Sequence, residues 1–227
     1  MNKAVLLVEG QGDVLFFEAL LRQMDLTDKI NVAPPRDFNF DNTVSNFPRL
    51  IDRLTKRMIT GHISHLGIVA DADHTSGGGF NTRWKTLTER LAAHKYIIPQ
   101  KPPALPATGS IFKNSHGLPP AGLYLMPNHQ DNGMLEDMLW QNLHDDEQST
   151  ELRGYAEKVI DGLPHQRFSE HHRTKAMLYS WLAWQKRPGQ TMDVTVHGQL
   201  LDYQRASLAG FLKWLQKVFP FIEEINL

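Results

Sequence analysis

The chain has 227 residues, 41% of them hydrophobic and 22% charged, with a formal net charge of −1 and no cysteine. That length accommodates one well-buried domain, or one domain with a helical appendage, and leaves too little for two independent ones. The charge balance excludes a globally basic protein that coats nucleic acid, so any phosphate-binding surface is local, and the lack of cysteine excludes a disulfide framework, a thiolate zinc site and a cysteine nucleophile.

The first apolar run, Ala4 to Val8, is short and rich in Val and Leu, which predicts a strand buried on both faces of a parallel sheet. It ends at Glu9 and a glycine turn, Gly10 to Asp13, after which Val14, Phe17, Leu21 and Met24 repeat at helical spacing. Ile30 to Ala33 reads as a second strand stopped by Pro34 and Pro35. Asp41 or Asn42 is placed to cap a helix running to about Met58, with Leu50, Ile51, Leu54 and Met58 on one face. A third strand, Leu66 to Ala70, ends at Asp71 and Asp73. A polar glycine-rich loop follows, then a helix from Thr82 to His94 with Trp84, Leu87 and Leu91 on one face. The first ninety or so residues therefore read βαβαβα.

Six prolines between residues 97 and 121 predict an irregular insertion. Order returns with a strand Leu123 to Met126 and a helix Met134 to Leu143, whose start carries the acid pair Glu136 and Asp137. Beyond it, helices are expected over Gln148 to Ile160, Glu170 to Gln185 and Tyr203 to Val218. In the last of these, Leu208, Phe211, Leu212, Leu215 and Phe219 form an apolar stripe. That stripe is most simply core, with a homodimer contact as the alternative use. Residues 128–161 hold nine acids against two basic residues, whereas residues 165–187 hold five Lys and Arg, one acid and three histidines. Solvated helical faces and a functional patch account for this segregation equally well.

No segment approaches the roughly 18 to 20 apolar residues of a membrane span. Met1 to Lys3 lead directly into the first strand without the features of a cleaved signal, so a cytoplasmic location is expected.

Parallel sheets collect ligands at the carboxyl ends of their strands, which is where Glu9, Asp71 and Asp73 fall. A hard cation such as Mg²⁺ takes a few carboxylates, keeps several waters and binds substrate phosphate through its open positions, so these three acids point to a divalent-metal site. Gly10 and Gly12 permit close approach of a phosphate to the following helix N-terminus. A dinucleotide fingerprint is contradicted by Leu15 at the third glycine position, and no Gly-Lys-Ser or Gly-Lys-Thr exists for a nucleotide-binding P-loop. Asp13 is most simply an acid stabilising its own helix. His62 and His65 precede a strand and lack the glutamate of a metalloprotease motif. His165, His171 and His172 lie beside Arg167, Arg173 and Lys175, a set that suits phosphate as well as metal, with a surface ion pair as the plain alternative for Arg173 or Lys175. Trp181 and Trp184 read as core more readily than as a base-stacking platform.

The run Val8 to Asp13, then Val69 to Asp73 followed by a glycine loop and Arg83, resembles the Toprim domain shared by type IA and type II topoisomerases, bacterial primases and small nucleases. The resemblance covers roughly residues 3 to 140. Met126 to Asp137 and Lys175 to Trp184 look like an uncharacterised Toprim-like prokaryotic family known only as a domain of unknown function. The resemblance implies that Glu9 is a general acid or base and that Asp71 and Asp73 coordinate Mg²⁺ or Mn²⁺. The stretch His74 to Asn81 replaces the compact Gly-Glu turn usual in the family, which leaves the phosphate role of Arg83 open. By analogy with the overcoming-lysogenisation-defect nucleases, Glu136 stands as an additional metal ligand and Lys175 as a loose counterpart of their phosphate-directed lysine.

The resulting expectation is an α/β fold: a small, mostly parallel Toprim-like sheet over residues 1–143, with a helical extension over residues 144–227 packed on it. The expected activity is metal-dependent hydrolysis of DNA or RNA by Glu9, Asp71, Asp73 and Lys175, with Glu136 among the ligands and Gly10, Gly12, Arg83 and Arg173 toward phosphate. The alternative is a non-catalytic module that binds a nucleotide, a nucleic-acid end or a partner ATPase. The chain has no room for the strand-passage domains of a topoisomerase and lacks the cysteines of a primase zinc module.

Overall fold

The structure is a computed structural model describing residues 3–38, 47–74, 78–102 and 108–222. Five strands, β1 (Lys3–Leu7), β2 (Ile30–Ala33), β3 (Ile63–Asp71), β4 (Ser110–Phe112) and β5 (Ala121–Met126), form one sheet in the order β2-β1-β3-β5-β4. All neighbours are parallel except β4, which pairs antiparallel with β5 at the edge. Among the described residues there are eight α-helices: α1 (Gln11–Gln23), α2 (Phe47–Ile59), α3 (Gly79–Ala93), α4 (Leu135–Gln141), α5 (Glu147–Asp161), α6 (Arg173–Ala183), α7 (Val194–His197) and α8 (Ala206–Val218). The expected α/β class and mostly parallel sheet are observed.

The central strands are apolar over most of their length because both of their faces are covered. Val5, Leu7, Leu66, Ile68, Leu123 and Leu125 point to the side of α2 and α3, where they meet Leu50, Leu54, Trp84 and Leu87. Ala4, Leu6, Val69, Tyr124 and Met126 point to the other side, into a core shared by α1, α4, α6 and α8 through Phe17, Met138, Trp181 and Phe211. The apolar stripe of α8 is thus spent on the sheet. It approaches closely because two strand positions lack a side chain: a Cβ on Gly122 would lie 2.3 Å from Val218, and one on Gly67 3.2 Å from Phe219.

Several boundaries differ from the sequence expectation. β3 starts at Ile63 rather than Leu66, because Ile63 also packs inward and pairs with Lys3. The pairing of β1 with β3 shifts by one residue between Lys3 and Ala4, leaving Ser64 unmatched. β4 lies within the stretch expected to be irregular. Ser110 and Phe112 turn inward around exposed Ile111, and Trp214 Nε1 donates to the Ser110 carbonyl at 3.0 Å. The single helix expected from Glu170 begins as a 3₁₀ turn over Glu170–His172, and α7 was not anticipated at all. The proposed caps Asp41 and Asn42 lie outside the described residues.

Behind the end of β5, His129 is fully buried. Its Nδ1 accepts the Leu125 N–H at 2.9 Å, which fixes the proton on Nε2, 2.8 Å from Ser110 Oγ. Burial takes this imidazole down to about 3, so it stays neutral and serves as a clamp between the β5 turn and the edge strand.

Candidate functional site

From β1 the chain crosses through α1 over one face to β2, and from β3 it leaves through α3 over the other face toward β4 and β5, so the crevice between the carboxyl ends of β1 and β3 is a topological switch point. Glu9 stands two residues past β1. Its Oε2 accepts the Asp71 N–H at 3.0 Å and its Oε1 pairs with Arg83 Nη2. Arg83 comes from α3, is buried, and lies with its guanidinium 5.4 Å from the Phe47 ring centroid. Burial lowers it to about 10, still charged at neutral pH, and its Nε has no hydrogen-bond partner among the described residues. On α1, Asp13 turns back to accept the N–H groups of Glu9 at 3.1 Å and Gly10 at 2.9 Å, the helix-starting role expected of it. The same carboxyl faces the site. Burial raises it to about 6, the Gly10 N–H opposing, with Glu136 adding to the rise and Lys175 reducing it.

Asp71 closes β3, and Asp73 follows in the left-handed conformation with φ of 60°. That turn breaks the strand alternation, so both acids reach the same region. The segment after β5 locks onto them: Gly133 N–H donates to the Asp73 carbonyl at 3.0 Å, and Leu135 N–H donates to Asp71 Oδ1 at 3.0 Å. These bonds deliver the first turn of α4, where Glu136 is buried with its Oε1 2.7 Å from Lys175 Nζ of α6. Asp137 repeats the Asp13 device by accepting the Met134 N–H at 2.8 Å. Asp71 is held well above the usual carboxylate range, first by burial and then by the charges of Asp13, Glu136 and Asp73, against one favourable N–H from Leu135. Asp73 is also raised by burial, with His74 and His171 pulling it down.

Three histidines edge the cluster. His74 Nε2 is 3.8 Å from Asp137 Oδ2 and has no hydrogen-bond partner among the described residues, its ring centroid lies 6.4 Å from that of His171, and the His171 and His172 rings lie tilted against each other at 4.1 Å. Burial first, then the charges of His171 and Lys175, depress His172.

The family model described as a protein of unknown function (DUF3226) matches residues 3–220. The chain belongs to the DUF3226 family. No curated protein and no solved structure matches it. The DUF3226 match runs from β1 through α8, so the sheet, the acid cluster and the helical cover fall within one family unit.

Of the positions singled out in this DUF3226 chain, Glu9, Asp71, Asp73, Glu136, Lys175 and Arg83 come together, and Gly10 starts α1 at their edge. Arg83 arrives as the partner of Glu9. Gly12 faces the protein instead, for a Cβ there would meet Met192 at 2.7 Å. Arg173 points away and grips Asp161 through both oxygens, at 2.7 and 2.8 Å. His62 bonds Thr60 and His65 packs edge-on to Phe221, so these two do not act as a pair. Trp181 is core, but Trp184 is 39% exposed, against expectation, because α6 ends at Ala183 and the chain turns outward. Asp13 does more than start its helix, and its position four residues after Glu9 on the first helical turn is the sequence signal that both face the same crevice. Among the described residues no group of three or more His, Asp or Glu side chains is gathered tightly enough to hold a metal ion. Glu9 and Glu136 are instead drawn onto Arg83 and Lys175.

Proposed function

We propose that this chain is a Toprim-like phosphodiesterase that hydrolyses nucleic acid with Mg²⁺ or Mn²⁺ at the carboxylate cluster. The observation that carries the reading is Asp71, half-buried at the end of β3 and surrounded by the charges of Asp13, Asp73 and Glu136. Several carboxylates buried together repel one another and shift toward protonation unless positive charge joins them. The donors suit a hard divalent cation in kind, being carboxylate oxygens without soft ligands. Asp71, Asp73 and Glu136, backed by Glu9 and Asp13, would hold it. When bound, the ion supplies positive charge against the scissile phosphate and acidity to an attacking water.

The chain's own residues supply the rest. The Arg83 guanidinium and the Asp71 N–H hold the two oxygens of Glu9, which places its carboxylate at the crevice as the candidate proton acceptor. Lys175, half-exposed beside Glu136, can swing its ammonium onto a phosphate oxygen. The Asp71 carboxylate is oriented by the Leu135 N–H, so the first turn of α4 fixes one wall of the crevice. The lack of cysteine suits a reducing compartment, and we place the activity in the cytoplasm.

A second reading, recognition without turnover, rests on the ion pairs Glu9–Arg83 and Glu136–Lys175, which already answer two of the acids internally. In that case the cluster would bind a nucleotide, a nucleic-acid end or a partner ATPase. Labelled single- and double-stranded DNA and RNA, incubated with Mg²⁺ or Mn²⁺, separate the two. Wild type should cut at least one of these, and an Asp71→Ala, Asp73→Ala double variant should be slower by about a hundredfold or more. Metal-dependent binding without cut ends in the wild type leaves the recognition reading standing.

A further inference from the structure

The acid cluster sits at the start of α6, and the far end of that helix carries groups the cluster does not use. Lys175, Tyr179 and Ala183 recur every four residues and are all exposed, forming one solvent-facing stripe that leads away from Glu136. Tyr179 is 38% exposed and Trp184 39%, whereas Trp181 between them is 1% exposed in the core. Immediately beyond, Lys186 and Arg187 join Gln185, Gln190, Asp193 and His197 around an open cavity of about 500 Å³. Asp193 is engaged by Thr191 and lies 4.0 Å from His197. Among the described residues no ion pair involves Lys186 or Arg187.

Exposed aromatic rings flanked by unanswered cations are what a single strand requires, since every base offers a face for stacking and every link a phosphate. Eight helical steps from Lys175 to Ala183 span about 12 Å, which is roughly three to four nucleotides at the stacked spacing of about 3.4 Å, and Trp184 caps the end of that stretch. A duplex, with its bases paired inward, gains nothing from the two rings.

We propose that the exposed stripe of α6 and the cavity at its end hold the single-stranded nucleic acid that flanks the scissile phosphate, with Tyr179 and Trp184 stacking on bases and Lys186 and Arg187 contacting phosphates. This rests on the nucleic-acid reading of the carboxylate cluster, but binding at the track needs neither metal nor turnover. The full chain in EDTA is titrated against fluorescein-labelled dT12, alone and annealed to dA12, and followed by anisotropy. The wild type should prefer the single strand. Lys186→Ala with Arg187→Ala should weaken dT12 binding about tenfold or more and flatten the salt slope by about 1.4, the share of two phosphates on a single strand. Trp184→Ala should weaken it about fivefold or more, and Asp71→Asn should bind at least as well as wild type. The altered side chains are exposed, so unchanged melting temperatures are expected, and Lys186→Gln with Arg187→Gln repeats the charge loss with the polar stems kept. Equal dT12 affinity in the wild type and both double variants, or an equal preference for duplex, overturns the track. Expected binding with no cleavage by any form in Mg²⁺ keeps the track and removes the nuclease reading; cleavage with dT12 binding indifferent to all these substitutions does the reverse.

Discussion

Two acidic centres of the molecule, one around Asp71 and one at Asp145, answer their charge in opposite ways. Asp145 is exposed and receives Arg153 and Arg205, and the Arg153 hydrogen bond, ahead of the Arg205 charge, holds it below the usual carboxylate range. Arg205 also donates to the Gln141 carbonyl at 2.8 Å, so the set ties the end of α4 to the start of α8. Around Asp71 the carboxylates are buried or half-buried and outnumber their cations, and Asp13, Asp71 and Asp73 are displaced upward, burial first in each case. The first arrangement is a surface staple whose charges are already matched. The second crowds carboxyl groups together with too few cations and shifts them toward protonation, which is the opposite of what a structural ion pair does.

The sharpest way to break that contrast is at Arg83. Removing it leaves Glu9 beside an already overcharged cluster, and Arg83→Ala should cost about 3 to 5 kcal/mol in urea unfolding at neutral pH, the range for breaking a buried pair. A loss no larger than at Asp145 would mean that the two centres are alike. Next is the pH dependence of Asp13. Its carboxyl moves from an ordinary 3.8 to about 6 on folding, so the folded state binds the proton more tightly. Stability is therefore full below about pH 4 and falls as pH rises through about 6, by about 3 kcal/mol from this group alone. Melting curves in EDTA should decline across that window, Asp13→Asn should flatten the decline, and Mg²⁺ should recover it at neutral pH. A profile that rises across the window, or that Mg²⁺ leaves untouched, refutes the idea of crowded carboxyl groups. Smallest of all is Asp145→Ala: a slight lowering of the melting temperature that vanishes in high salt, with cleavage unaffected. A large salt-resistant drop would show that the staple is buried in all but surface area.

The sheet was legible because doubly buried parallel strands carry continuous apolar runs, as β1, β3 and β5 do, and because Pro34 and Pro35 mark the end of the shorter β2. β4 was not, since only two of its three residues turn inward and its place is secured by Trp214, more than a hundred residues away. The acids of the site were legible from where they stand relative to strand ends. Their cations were harder: Arg83 and Arg173 look equivalent in sequence, yet one is carried inward by α3 to Glu9 while the other meets Asp161 on α5. Gly12 read as space for phosphate, but that space is filled by Met192 from the distant α7 region. Contacts of this kind have no local periodicity to announce them.

The unmatched Ser64 in the β1–β3 pairing carries a consequence for how the chain proofreads its own assembly. With that residue looped out, Leu7 sits opposite Ile68, and Glu9 emerges beside the Asp71 amide that its Oε2 caps. A slip by one residue would turn every side chain of β1 to the opposite layer and carry Glu9 away from both Asp71 and Arg83. The same error would expose a core and dismantle the acid cluster together, so only the correctly registered sheet brings these carboxylates to one place.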